Sequence, residues 1–228
     1  MDNLARDPER FTQPQDVNTG ETTLHILAKE GKVEIIESLL NDVRMEDYMV
    51  SGLLKQDKLG WTPLMSATKA DTGAREIMEK FLNFLLEHMN NNASEDQSNL
   101  CKLIEAQNRS KDTLFTLLMR KGHEDFGESR TMLFQLLAKH SNPQDLAKWF
   151  NKFVRQLLEP NSCDLTARSM KELILLASKT EIDFKYVMLE RDKLGHTLLM
   201  ELAKNMKDEA LREILTSSIT SNYVSAQK

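Results

Sequence analysis

Two nine-residue stretches far apart in the chain, Asp57-Lys-Leu-Gly-Trp-Thr-Pro-Leu-Met65 and Asp192-Lys-Leu-Gly-His-Thr-Leu-Leu-Met200, agree at seven of nine positions. Agreement of this kind within one chain marks an internal repeat, and periods of roughly 20–50 residues restrict a chain to stacked supersecondary units. The residues say what the unit is. Gly60 can take the positive φ of a tight turn without steric cost. Thr62 can cap a helix through its hydroxyl, and Pro63 suits the first helical position, where no N–H is needed. Leu64 then opens a buried face. Gly195, Thr197 and Leu199 stand in the same places in the second stretch.

Two other segments carry the pattern in part. In Gly20-Glu-Thr-Thr-Leu-His-Ile-Leu-Ala-Lys-Glu-Gly31, Thr22 caps, Leu24, Leu27 and Ala28 face inward, and Gly31 ends the helix. Val33, Ile36, Leu39 and Leu40 then line a second helix at helical spacing. The other segment, Gln107-Asn-Arg-Ser-Lys-Asp-Thr-Leu-Phe115, places Ser110 at the glycine position, Asp112 at the cap and Leu114 at the first core position. Aspartate caps a helix as well as threonine does.

Gly20-x-Thr22-x-Leu24-His25-x-x-Ala28-x-x-Gly31 and Asp57-x-x-Gly60-x-Thr62-Pro63-Leu64 resemble the ankyrin repeat, the first without its proline and the second without its histidine. The resemblance implies units of about 33 residues, each a β-hairpin finger followed by two antiparallel helices. The implied fold is an all-α, ankyrin-type solenoid with an inserted helical pair. The implied function is non-catalytic: a module that binds a folded partner protein through its fingers and concave helix face. His25 would brace neighbouring turns, with Met65, Phe115 and Met200 in the equivalent place. Stacking is expected on physical grounds as well, because each helix pair is amphipathic and cannot cover its apolar faces alone.

Residues 1–17, polar and carrying Pro8 and Pro14, read as a flexible lead-in. Residues 18–219 read as a single elongated domain with repeats starting near 19, 57, 107 and 192, and 220–228 as a flexible tail. The caps stand 40, 50 and 85 residues apart, so the intervals hold more than one unit each requires. In the second unit a helix is expected over 72–89 and a short one over 98–105. In the third, helices are expected over 112–120 and 129–139, joined by a loop at 122–127. The longest interval supplies a divergent helical insertion over about 142–180. There Asn142-Pro143 starts a helix carrying Leu146, Trp149, Phe150, Phe153, Val154, Leu157 and Leu158, and a partner helix follows over 166–179. Its aromatic stripe is either a core face or a groove for a partner helix. Helices over 197–205 and 208–219 complete the last unit.

A net charge of −5 without a long Lys/Arg block points away from nucleic acid, and no run approaches the ~20 apolar residues of a membrane span. Cys101 and Cys163 lack the spacing of a redox pair or thiolate metal site, so two free thiols in a reducing, cytoplasmic setting are expected. No phosphate loop, dinucleotide fingerprint, zinc-protease helix or nucleophile elbow is present. No cofactor or metal is expected, and Gly122-His-Glu-Asp125 reads as a solvated loop. The alternative reading is an enzyme with a non-local active site between His123 and Cys163.

Trp61 lies between the turn glycine and the cap, a position that in ankyrin fingers points out of the stack. Its equivalents are Glu21, Lys111 and His196. With Lys58, Leu59, Arg109, Lys193 and Leu194 they form a row of varied chemistry, as a specificity surface would be. Leu59 and Leu194 either face a partner or pack between fingers. A monomer is expected. Divergent, unevenly spaced repeats rich in Lys, Glu and Asn also resemble ankyrin proteins that intracellular bacteria deliver into host cells, which implies a host protein as partner.

Overall fold

The computed structural model describes residues 9–88, 93–121, 123–140, 143–158, 191, 194–197 and 200. Among these the structure is all-α. It comprises α1 (Glu9–Thr12), α2 (Thr23–Lys29), α3 (Val33–Leu40), a 3-10 turn (Val43–Met45), α4 (Glu46–Leu53), α5 (Pro63–Ala67), α6 (Ala74–His88), α7 (Ala93–Glu105), α8 (Leu114–Arg120), α9 (His123–His140) and α10 (Pro143–Leu158). Extended pairing is confined to isolated antiparallel bridges, Pro14 with Thr22 and Arg191 with Thr197. The backbone divides into two compact units, Met1–Leu136 and Leu137–Lys228.

In the first unit three fingers, 15–21, 57–61 and 108–112, each precede a short helix (α2, α5, α8) and then a second one (α3, α6, α9). The short helices lie side by side, α2 against α5 and α5 against α8, while α6 lies against α3 and α5. Position in the stack explains composition. All five residues of α5, Pro63 to Ala67, are buried, since the helix has neighbours on two sides. Thr62 caps it as expected, its Oγ1 accepting from the Met65 N–H at 3.2 Å, and Pro63 takes the first position. Ile77, Met78, Phe81, Leu82 and Leu85 of α6 complete a core in which each large apolar side chain contributes about 1.5–3 kcal/mol.

Two glycines fix how closely the units approach. Gly60, at φ +80°, would put a Cβ 2.4 Å from the Gln107 carbonyl oxygen. Gly31, at φ +69°, would put one 2.3 Å from the Thr72 carbonyl oxygen. Glycine is therefore required there twice over, for its backbone conformation and for the neighbour packed on it.

The third finger is shifted by one residue from the expected register. Thr113, not Asp112, caps α8, accepting from the Thr116 N–H at 3.3 Å, and Lys111, not Ser110, has the positive φ of 63°. The reason is a reciprocal box: the Thr116 hydroxyl accepts from the Thr113 N–H at 2.8 Å, which Asp112 with Phe115 three residues on could not provide. Phe115 thus takes the core place of Leu64, and Thr116 the place of His25.

Other elements also differ from expectation. Part of the supposed lead-in is ordered: α1 packs on α4 and its Phe11 is fully buried. The surplus between the first two caps is spent on the 3-10 turn and α4, whose Met49 and Leu53 are also fully buried. Helix α7 begins at Ala93 rather than 98. The expected loop after Gly122 is instead the start of α9, broken at Phe126 (φ −136°, ψ 19°), whose ring is buried.

In the second unit, α10 starts at Pro143 as expected and buries Leu146, Phe150, Phe153 and Val154, with Trp149 half-buried. Among the described residues, the fourth hairpin shares the turn glycine and the cap of the second. Gly195 has φ +83°, and the Thr197 Oγ1 accepts from the Met200 N–H at 3.2 Å. The expected helices at 166–179 and 208–219, nearly all of that at 197–205, and the tail at 220–228 lie outside the described residues, as do Cys163 and Lys193.

Candidate partner-binding face

The fingers of the first unit are tied to one another through the backbone. The Lys58 N–H donates to the Thr19 carbonyl at 2.9 Å, and the Arg109 N–H to the Leu59 carbonyl at 2.9 Å. Each finger also closes on itself: the Asp57 N–H donates to the Trp61 carbonyl at 2.9 Å, and the Asn108 N–H to that of Asp112 at 3.0 Å. Asp57 Oδ1 further accepts from the Leu59 and Trp61 N–H groups, both at 2.8 Å. In the third finger Asn108 Oδ1 accepts from the Asp112 N–H at 2.9 Å. A short side-chain oxygen at the finger's start does the same work in both.

His25 joins the first two units. It is fully buried; its Nδ1 accepts from the Thr22 N–H at 3.2 Å, so the proton is on Nε2, which donates to the Trp61 carbonyl at 2.8 Å. Burial holds its pKa below the ordinary imidazole value, against the opposing pull of the Trp61 carbonyl. The ring is a neutral brace. Met65 has no such capacity, whereas Thr116 satisfies the equivalent N–H within its own unit.

Trp61 is less free than its position suggests. Both backbone groups are engaged, the side chain is half-buried, and the Lys69 ammonium stands over its ring at 3.2 Å from the centroid. Burial beside the indole lowers the Lys69 pKa, partly offset by Asp57. Such a contact contributes about 0.5–2 kcal/mol, more as water is excluded. Glu21, at the same finger position, is also engaged: its carboxylate holds Lys29 Nζ at 2.8 Å and its side chain is 13% exposed. The face therefore presents an ordered Trp61–Lys69 pair and, at the neighbouring finger, an ordered Glu21–Lys29 pair.

The other candidates fall into three groups. Lys58, Leu59 and Arg109 are exposed at the tips of the second and third fingers, Leu59 at 40%, so Leu59 is not packed away between fingers. Lys111 is exposed too, but at the glycine position rather than opposite Trp61, which is matched instead by Asp112. Asp112 is buried and paired with Arg120 Nη1 at 2.6 Å. Leu194 and His196 are exposed in the second unit, Leu194 at 79%. Arg155 Nη2 donates to the His196 carbonyl at 2.9 Å. Lys29 and Lys69 were not among the expected residues; each lies seven residues after its cap, Thr22 or Thr62, a spacing the sequence displays.

Two of the three fingers, with the buried histidine between them, fall in a stretch that is similar to a known family. Residues 7–97 match the family model for ankyrin repeats (3 copies). No curated protein and no solved structure matches the chain. Ankyrin repeats are generally protein–protein interaction modules and typically non-catalytic. The matched stretch runs through the first two fingers to the start of α7; the third finger lies beyond it but closes and stacks in the same way. Among the described residues no three His, Cys, Asp or Glu side chains cluster as metal ligands would, and the side chains of His123, Glu124 and Asp125 lie outside them. No described helix is long and apolar enough to cross a membrane.

Proposed function

We propose that this chain is a non-catalytic binding module whose ankyrin fingers and adjoining short helices grip one folded partner protein, acting as a monomer. The observation that carries this reading is the Trp61–Lys69 pair: a half-exposed indole whose face is already ordered by an ammonium. Tryptophan is enriched among the residues that dominate binding energy, and ordering it in the free state lowers the entropy lost on association. The fingers supply rigidity, since each is fastened to the next through the main chain.

The test is to identify the partner by proximity labelling, purify it, and measure its affinity for the wild-type chain and for Trp61→Ala. Removal of the indole is expected to weaken binding by about 30-fold or more, the loss expected of a dominant interface residue, with helical circular dichroism unchanged. Undiminished affinity in the folded variant refutes the proposal. We further propose that the chain works in the cytoplasm, as an effector that a bacterium delivers into a host cell; the support is the resemblance of its uneven Lys-, Glu- and Asn-rich repeats to such proteins. A translocation reporter fused to the chain that never reaches host cytoplasm refutes that part.

A further inference from the structure

The charge on the fingers is lopsided. Lys58, Arg109 and Lys111 are exposed on the second and third fingers, Lys55 is exposed at the entry to the second, and none of the four forms an ion pair among the described residues. Several cations elsewhere in the unit are paired with acids: Lys29 with Glu21, Lys80 with Glu37, Arg75 with Glu79 and Arg120 with Asp112, while Lys69 stands over the Trp61 ring. The acids of these two fingers are withdrawn from the surface. Asp57 is buried and spends Oδ1 on two backbone N–H groups, and Asp112 is buried against Arg120. On the first finger Asp16 is held by the Asn18 N–H and the Thr19 hydroxyl. Lys58 keeps its ammonium near the Val17 carbonyl, at 2.6 Å, a contact that uses one of its three donors.

The ladder between fingers fixes where these charges stand. Lys58 and Arg109 occupy the same register position on adjacent fingers, each donating its N–H to the finger before. Leu59 lies beside them, 40% exposed. A positive strip with an apolar side chain in it thus sits on a chain of net charge −5.

We infer that this strip docks an acidic segment of the partner protein, with Leu59 as its apolar contact. The inference rests on the proposed function in taking a protein as ligand, and adds the chemistry of the surface recognised. Duplex nucleic acid fits less well: it carries a charge about every 1.7 Å of its axis and would run past a short strip onto a net negative surface. A compact acidic segment would not.

The probe is a fluorescein-labelled peptide of Glu and Asp with a central Leu, compared with its Gln/Asn counterpart and with a single-stranded oligonucleotide, by anisotropy on the full chain at low and physiological salt. The acidic peptide is expected to bind, more weakly as salt rises, and the Gln/Asn peptide to bind far less. Lys58→Glu with Arg109→Glu should weaken the acidic peptide by about tenfold or more, Lys58→Gln with Arg109→Gln by less, and Lys32→Glu, away from the fingers, not at all. Unchanged affinity in both double variants, equal binding of the Gln/Asn peptide, or tighter binding of the oligonucleotide overturns the inference. The two ideas fail separately: if charge reversal is silent while Trp61→Ala still abolishes partner binding, the basic strip falls as a docking site and the binding module stands. If charge reversal matters and Trp61→Ala does not, the outcome is the reverse.

Discussion

Replacing Gly60 by alanine tests whether the fingers hold the stack or merely decorate it. Two costs add. A side chain at φ +80° is strained by roughly 1–2 kcal/mol. The new Cβ would also lie 2.4 Å from the Gln107 carbonyl oxygen and 3.0 Å from the Asn108 Cα, both backbone atoms of the next finger. Forcing such a neighbour aside costs about 1–3 kcal/mol. Against this, alanine reduces the freedom of the unfolded chain, a gain of about 0.4–1 kcal/mol. The net expectation is a destabilisation of about 2–4 kcal/mol, read from urea unfolding followed by circular dichroism. Hydrogen exchange gives the second readout. The Arg109 amide, bonded to the Leu59 carbonyl at 2.9 Å, should lose protection more than amides inside α2. The companion variant Lys111→Gly relieves a left-handed lysine at φ 63° and should be neutral or stabilising by up to about 1 kcal/mol. A Gly60→Ala protein within about 1 kcal/mol of wild type, with Arg109 protection intact, would refute the reasoning.

His25→Gln should remove a pH dependence. Burial depresses the folded-state pKa, so the unfolded chain takes up the proton first, and stability falls as pH drops below about 6.5 towards the folded value; melting temperatures at pH 7.5 and 5.5 should diverge more in wild type than in the variant. Asp57→Ala should cost about 1–2 kcal/mol by leaving the Leu59 and Trp61 N–H groups without their side-chain acceptor. Asp57→Asn should cost clearly less, since Asn108 performs that task in the third finger; equal losses in denaturant titrations would contradict the parallel. Arg130→Met should destabilise by about 1–3 kcal/mol, because the buried guanidinium donates to the Leu118 carbonyl at 3.0 Å and the Lys121 carbonyl at 3.3 Å at the end of α8. A thermal shift indistinguishable from wild type would show that water or backbone replaces it.

Local chemistry that depends on one residue's backbone or hydroxyl was legible in the sequence. Gly60 and Gly195 turn as expected, Thr62 and Thr197 cap, Pro143 starts its helix, and His25 bridges two units. The third finger sits one residue from the register its spacing implies because Asp112 and Thr113 are both good caps, and the choice between them depends on Thr116, three residues after Thr113. Helix α4 is not legible in the sequence for a different reason. Its residues Glu46–Leu53 carry weak helical periodicity, and its order comes from contact with α1, itself a short turn that local propensity would not have fixed. At the candidate face, the exposure of Lys58, Leu59 and Arg109 followed from repeat position. The engagement of Trp61 by Lys69 and of Glu21 by Lys29 did not, since each depends on where a short helix ends relative to its finger.

The close approach of the second finger to the third is not one that Lys111 could repeat. Where Gly60 has a hydrogen facing the next finger's backbone, Lys111 has a Cβ. A further finger of the same geometry, whether from a duplicated segment or from another molecule, would meet that carbon with its own main chain. The contact that Gly60 permits is therefore one that the third finger cannot offer in its turn, and a single side chain makes the difference.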